Sequence, residues 1–309
     1  MDFRDDVELD ASEIEDRGSG GGESGDDSGR NAGGDGDDDE GGGISFGGGA
    51  LAIVGVVVVI AGAVFGFDPL GMFDGGSDAK PATSAALSKE CKTGKDADES
   101  QKCRAVGVVN SLQTYWRQAF VERGKKPYKT AKTVLFTGST KSPCGKASAD
   151  TGPFYCPTDR KVYLDLAFFT ELKRDFGAKG GPFAEAYVIA HEYGHHAQNL
   201  MGTFDDTADD EGAKSDSVRV ELQADCYAGV WANNAVETGF YEDPFTATDI
   251  KLALDAAAAI GDDKIQKLSD EAVDSDSWTH GSSAQRVKWF TKGYKSGSPA
   301  KCDTFSGGI

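Results

Sequence analysis

The chain has 309 residues, room for one large domain or two small ones, and a formal net charge of −19 at pH 7. That sign excludes nucleic acid as a natural partner, because a polyanion would be repelled. The excess sits at the start, where residues 1–43 hold three arginines against sixteen Asp and Glu.

Residues 1–43 are mostly Gly, Asp, Glu and Ser. Such a composition buries too little apolar surface to offset its ordering entropy, so a disordered acidic tail is predicted there. Ile44 to Phe67 then contains no charged residue. As a helix this stretch would extend about 36 Å, against about 30 Å of bilayer hydrocarbon, so residues 44–67 are predicted as one transmembrane helix, ended by Asp68-Pro69. Ala61-Gly62-Ala63 leaves a cleaved signal peptide open, although the long acidic region before it is unlike the short basic start of a signal. Residues 68–88 read as a linker rich in Gly, Ser, Ala and Pro, and residues 89–309 as one domain.

All six cysteines follow the apolar stretch. An even number confined to one side points to disulfides in an oxidising compartment. Other pairings stay open, but local spacing favours Cys91–Cys103 and Cys144–Cys156, which leaves Cys226–Cys302. The expected layout is a short cytoplasmic tail, a single-pass anchor in the cell membrane and an extracytoplasmic domain.

Within that domain, Val106, Val109, Leu112, Trp116 and Phe120 recur at helical spacing and predict a helix over 99–123. Strands are expected at Thr133–Phe136, Phe154–Tyr155 and Lys161–Leu164. Further helices are expected at 166–176, from Pro182 to about Leu200, from Ser217 to about Glu237 and from Thr248 to Ile260. A last one is capped by Ser282 or Ser283 and runs to Tyr294. The fold class is α+β, mostly helical with a small sheet.

The chemistry centres on His191-Glu192-Tyr193-Gly194-His195-His196, an HExxH motif inside a predicted helix. Positions i and i+4 share a helix face, so His191 and His195 can aim their imidazoles at one zinc ion while Glu192 acts on water there. A hydrolytic zinc takes a third protein ligand. No histidine stands at the position a third-His pattern requires, so that solution fails. Glu221, in Glu221-Leu222-Gln223-Ala224-Asp225 on the next helix, supplies a carboxylate instead. Asp225, four residues on, can accept a hydrogen bond from a ligand histidine. His196 lies about 100° away on the helix and is assigned to packing. Cys226 points away from the Glu221 face and is read as a disulfide or core residue. His280, the sole histidine outside the motif, precedes a capped helix that carries Arg286. Both can face a cleft, and His280 there could stabilise an oxyanion.

These residues resemble the bacterial neutral zinc metallopeptidase family. The likeness rests on Asp68-Pro69 after the apolar stretch, Lys161-Val162-Tyr163-Leu164-Asp165, the HExxH motif, Glu221 to Cys226, and His280-Gly281-Ser282-Ser283 with Gln285-Arg286. The order HExxH, ExxxD, then His and Arg is also similar to membrane-bound gluzincin proteases. The resemblance implies a zincin-like domain with one Zn2+ per chain held by His191, His195 and Glu221, with Glu192 as catalytic acid and base. Asp225 and Arg286 stand behind the ligands, and the substrate is a protein or peptide. The acidic tail departs from the family pattern. The expected activity is that of a membrane-anchored zinc metalloendopeptidase, with Lys161–Leu164 offering a free edge to substrate. The alternative is an extracytoplasmic zinc-binding module with a structural or interaction role and no turnover.

Overall fold

A computed structural model describes residues 1–19, 84–122, 124, 127–148, 151–208, 210–269 and 271–309. The expected span at 44–67 lies outside these residues, as do 20–43 and 68–83. Among the described residues no helix is long and apolar enough to cross a membrane.

The fold is α+β and mostly helical. Four strands form one sheet in the order β1, β2, β6, β5, where β1 is Ile14–Ser19, β2 Lys132–Thr137, β5 Phe154–Cys156 and β6 Lys161–Asp165. β1 and β6 run parallel to β2 on its two sides, and β5 closes the far edge antiparallel to β6. The Val, Leu, Phe and Tyr side chains of β2 and β6 suit a sheet covered on both faces, and both strands are buried along most of their length. A separate hairpin pairs β3 (Ser139–Ser142) with β4 (Gly145–Ser148).

Nine α-helices are described: α1 Ser84–Glu90, α2 Gly94–Glu99, α3 Gln101–Glu122, α4 Phe168–Arg174, α5 Pro182–Met201, α6 Asp216–Asn234, α7 Ala247–Ala259, α8 Asp262–Leu268 and α9 Ser283–Ser296. The periodic residues of α3, from Val106 to Phe120, are all in the core. α5 starts with Pro182 in its first turn and stops at Gly202, whose φ of 79° satisfies a left-handed cap that other residues resist. Ser282 caps α9 through a capping box with Gln285.

Three expectations need correction. Residues 1–19 are not a disordered tail. Phe3, Ala11 and Ile14 are buried in the main core and β1 extends the sheet, because this part of the acidic segment carries apolar residues that the Gly-rich part lacks. Residues 84–88, placed in the linker, belong to α1, whose Leu87 is buried. Lys161–Leu164 offers no free edge, since β6 is paired on both sides and β5 is the edge strand.

Candidate active site

Two helices build the site. α5 carries His191, Glu192 and His195, and α6 carries Glu221 and Asp225. Their separation is set by Gly194, where a Cβ would stand 3.0 Å from both the Cα and the carbonyl oxygen of Ala224. The glycine of the motif therefore lets α6 approach until Glu221 reaches the two imidazoles. α9 locks onto α6 in the same way: a Cβ on Gly229 would collide with the Phe290 carbonyl, and one on Gly293 with that of Cys226. This seats Arg286 against Asp225. The disulfide Cys226–Cys302 ties the C-terminus to α6, and Cys91–Cys103 and Cys144–Cys156 complete the three expected pairs.

The three ligand candidates converge. Their donor atoms all lie within 4.8 Å of one another, and all three residues are buried. His191 Nε2 is 3.0 Å from Glu221 Oε2 and 3.1 Å from His195 Nε2, and His195 Nε2 is 3.2 Å from Glu221 Oε1. The far nitrogens are already engaged. His191 Nδ1–H donates to Asp225 Oδ1 at 3.0 Å, and His195 Nδ1–H to Gln198 Oε1 at 2.8 Å. With Nδ1 engaged in each ring, Nε2 is the nitrogen that both imidazoles turn toward the shared point.

Asp225 is the hub behind the ligands. Besides His191 it accepts Tyr187 O–H at 2.5 Å and a two-pronged pair from Arg286, Nε at 2.9 Å and Nη2 at 3.0 Å. Every one of these groups is buried. Burial works against the charge on Asp225, but the Arg286 guanidinium outweighs it and holds the carboxyl below its usual range.

Burial likewise disfavours charge on Glu221, but the facing imidazoles, His195 first, hold its carboxyl well below the usual value. Burial opposes a charged His191 too, and Asp225 and Glu221 override it, raising its pKa to about 10. An imidazole that retains its proton so tightly sits in surplus negative charge, which also favours a divalent cation. Glu192 differs: desolvation dominates and raises its pKa. Its Oε2 is buried with no hydrogen-bond partner among the described residues. A buried carboxylate oxygen left unbonded beside two histidines and a carboxylate calls for a ligand at this point. With two imidazole nitrogens and a carboxylate converging, the donor set fits zinc with an open position for water.

His280 and Arg286 share one cavity with His191, Glu192 and Glu221. His280 is held by its neighbours: Nδ1 is 2.9 Å from Thr279 Oγ1 and 3.4 Å from Asp262 Oδ1. Asp262 in turn accepts the backbone N–H groups of Thr279, His280 and Gly281 at 2.8–3.0 Å. The other wall is apolar, with Phe168, Val188, Ile260 and Ile265, and Thr151 to Pro153 just before β5 complete the rim. His196 is absent from the cavity. Its Nε2–H donates to Lys129 O at 2.6 Å, its Nδ1 is 3.0 Å from Tyr155 Oη, and burial lowers its pKa to about 4. It pins the edge strand β5 to α5.

The structure thus gathers His191, Glu192, His195, Glu221, Asp225, His280 and Arg286 around one point. Sequence reasoning missed Tyr187, Gln198 and Asp262. The first two carried a signal: Tyr187 precedes His191 by one turn and Gln198 follows His195 by three residues, so each shares a face with a ligand. Asp262 had none, because its role depends on a loop folding over it.

Comparison with known proteins places the chain among related sequences. An uncharacterized protein of Mycobacterium tuberculosis (strain ATCC 25618 / H37Rv) is 48% identical over 224 residues, covering 70% of this chain and 75% of that protein. The uncharacterized protein YpfJ of Escherichia coli (strain K12) is 39% identical over 260 residues, 82% of this chain and 86% of YpfJ. No solved structure matches. One family, described as putative neutral zinc metallopeptidase, matches residues 14–305, from the first residue of β1 to just past Cys302. With that match spanning both site helices and the loop of His280, the chain belongs to the putative neutral zinc metallopeptidase family.

Proposed function

We propose that this protein is a zinc-dependent endopeptidase. The observation that carries the reading is the meeting of His191, His195 and Glu221 beside the unpartnered buried oxygen of Glu192. His191, His195 and Glu221 would hold one zinc ion per chain, which would supply Lewis acidity toward water and a substrate carbonyl. Glu192 takes the proton of the attacking water and returns it to the leaving amine, a role suited to a carboxylate whose pKa is raised by burial. His280, steadied through Nδ1 by Asp262, offers its other ring nitrogen to the oxyanion. Phe168, Val188, Ile260 and Ile265 shape the cleft for an apolar side chain next to the scissile bond. The edge strand β5 leads into the cavity rim and suits an extended peptide added as a further strand.

The three disulfides support an oxidising, extracytoplasmic compartment, and the uncharged stretch 44–67 supports attachment to the membrane. The test is purified full-length chain on casein and a peptide library, alongside metal analysis. Cleavage that disappears with chelator, returns with zinc and is lost in Glu192→Gln agrees with the proposal. Cleavage that survives in Glu192→Gln would refute it. One zinc per chain with no cleavage of any peptide would favour a non-catalytic zinc module.

A further inference from the structure

The geometry points to residues 1–19 as a built-in part of the catalytic domain, docked by the same chain, so that residues 1–19 and the domain lie on one side of any membrane the chain meets.

The docking is extensive. β1 adds to β2 in parallel register, Ile14 opposite Thr133 and Asp16 opposite Leu135. Phe3 and Ile14 are 2% and 1% exposed. Asp10 and Asn110 exchange two hydrogen bonds of 2.8 Å, and Lys161 and Lys102 form ion pairs with Glu15 and Asp16 at 2.8 and 2.9 Å. The domain is shaped to receive the segment. A Cβ on Gly107 of α3 would stand 2.6 Å from the Phe3 ring, and one on Gly94 of α2 would collide with the Arg4 carbonyl. Without residues 1–19, β2 would be an open edge and the hollow over Gly107 would be exposed.

The consequence is one of parity. Ser19 ends β1 and Ser84 opens α1 in the same body, and residues 20–83 join them in sequence. Between them the sequence holds a single uncharged apolar run, 44–67. One crossing would place its two ends on opposite faces of the membrane, and then β1 could not pair with β2. A return crossing would need a second apolar run of about 20 residues, and residues 20–83 contain none. Docking and a single-pass span exclude one another. The disulfides draw the domain to the oxidising side, and the acidic tail, with three arginines in its first 43 residues, holds little positive charge to retain it in the cytoplasm.

The experiment uses the full-length chain in intact cells and reads position, so it is independent of peptidase activity. Asp5→Cys, exposed in the N-terminal segment, and Val121→Cys, at a site 77% exposed on the domain, are treated with a membrane-impermeant maleimide before and after lysis. The native cysteines are all paired and give no background. The expected result is that both positions label alike, within about twofold, in each condition. Labelling of one with protection of the other would overturn the proposal. In a second arm, Glu15→Cys with Lys161→Cys is treated with a short bismaleimide. A cross-link within one monomer is expected. A cross-linked dimer, or two reactive but unlinked thiols, would overturn docking by the same chain.

Discussion

Replacing Asp225 by Asn probes the hub of the site with little change of shape. Asp225 is fully buried and accepts from Tyr187, His191 and both prongs of Arg286. Asparagine keeps one acceptor oxygen, but its NH2 would face Arg286 donor to donor, and the guanidinium would be left buried without its counter-charge. Breaking a buried pair from one side costs about 3–5 kcal/mol. For a domain of this size each kcal/mol lowers Tm by about 2–4 °C, so a fall of about 6–20 °C is expected by calorimetry. His191 would also lose the carboxylate that fixes its tautomer and increases its basicity. Loss of such a partner lowers metal affinity about 10- to 100-fold, which competition with a chromophoric zinc chelator resolves. The two readouts separate. A purely structural Asp225 would lower Tm and leave zinc affinity within twofold of wild type, and that result would refute its role in orienting His191.

Phe3→Ala should destabilise the whole domain by about 3–5 kcal/mol, since it empties a site buried against Tyr241 and Gly107; an unchanged calorimetric transition would show that the N-terminal segment does not dock. Asp262→Asn is expected to lower kcat at least tenfold with zinc stoichiometry unchanged, because His280 loses its carboxylate partner. If His280→Ala lowers kcat while Asp262→Asn does not, Asp262 has no part in positioning that ring. Cys226→Ser with Cys302→Ser opens a loop of 76 residues and should cost about 4 kcal/mol in denaturant unfolding. A midpoint within error of the parent would mean that the bond contributes nothing to stability.

The site was legible because its chemistry is local. HExxH and ExxxD are helical spacings, and helices present i and i+4 together whatever surrounds them. The long helices were legible from periodicity and from glycine stops such as Gly202. The docking of residues 1–19 was not, because the acidic, Gly-rich average of 1–43 concealed three apolar anchors at Phe3, Ala11 and Ile14. The identity of the edge strand was hidden as well. Lys161–Leu164 and Phe154–Tyr155 read alike as short strands, and only long-range pairing decides which has an open side. Asp262 lies beyond sequence reasoning for the same reason: its partners are backbone N–H groups of a loop reached through tertiary contact.

The charge balance of the buried cluster explains why these pieces occur together. A zinc site needs neutral imidazoles with free Nε2 lone pairs and an ionised Glu221, yet burial opposes any net charge. Asp225 satisfies the Nδ1–H of His191 but brings a second buried carboxylate, and Arg286 cancels it through two hydrogen bonds. What remains is the charge of Glu221, with Glu192 beside it, whose carboxyl desolvation pushes above its usual range. A dication meets that remainder without leaving an unpaired charge in the core. Removing Arg286 alone should therefore be worse for the fold than removing Arg286 and Asp225 together as an uncharged pair. A double-mutant cycle of Arg286→Met and Asp225→Asn, read by unfolding in denaturant, should give a coupling of about 2–3 kcal/mol, and additive effects would break this account of the site.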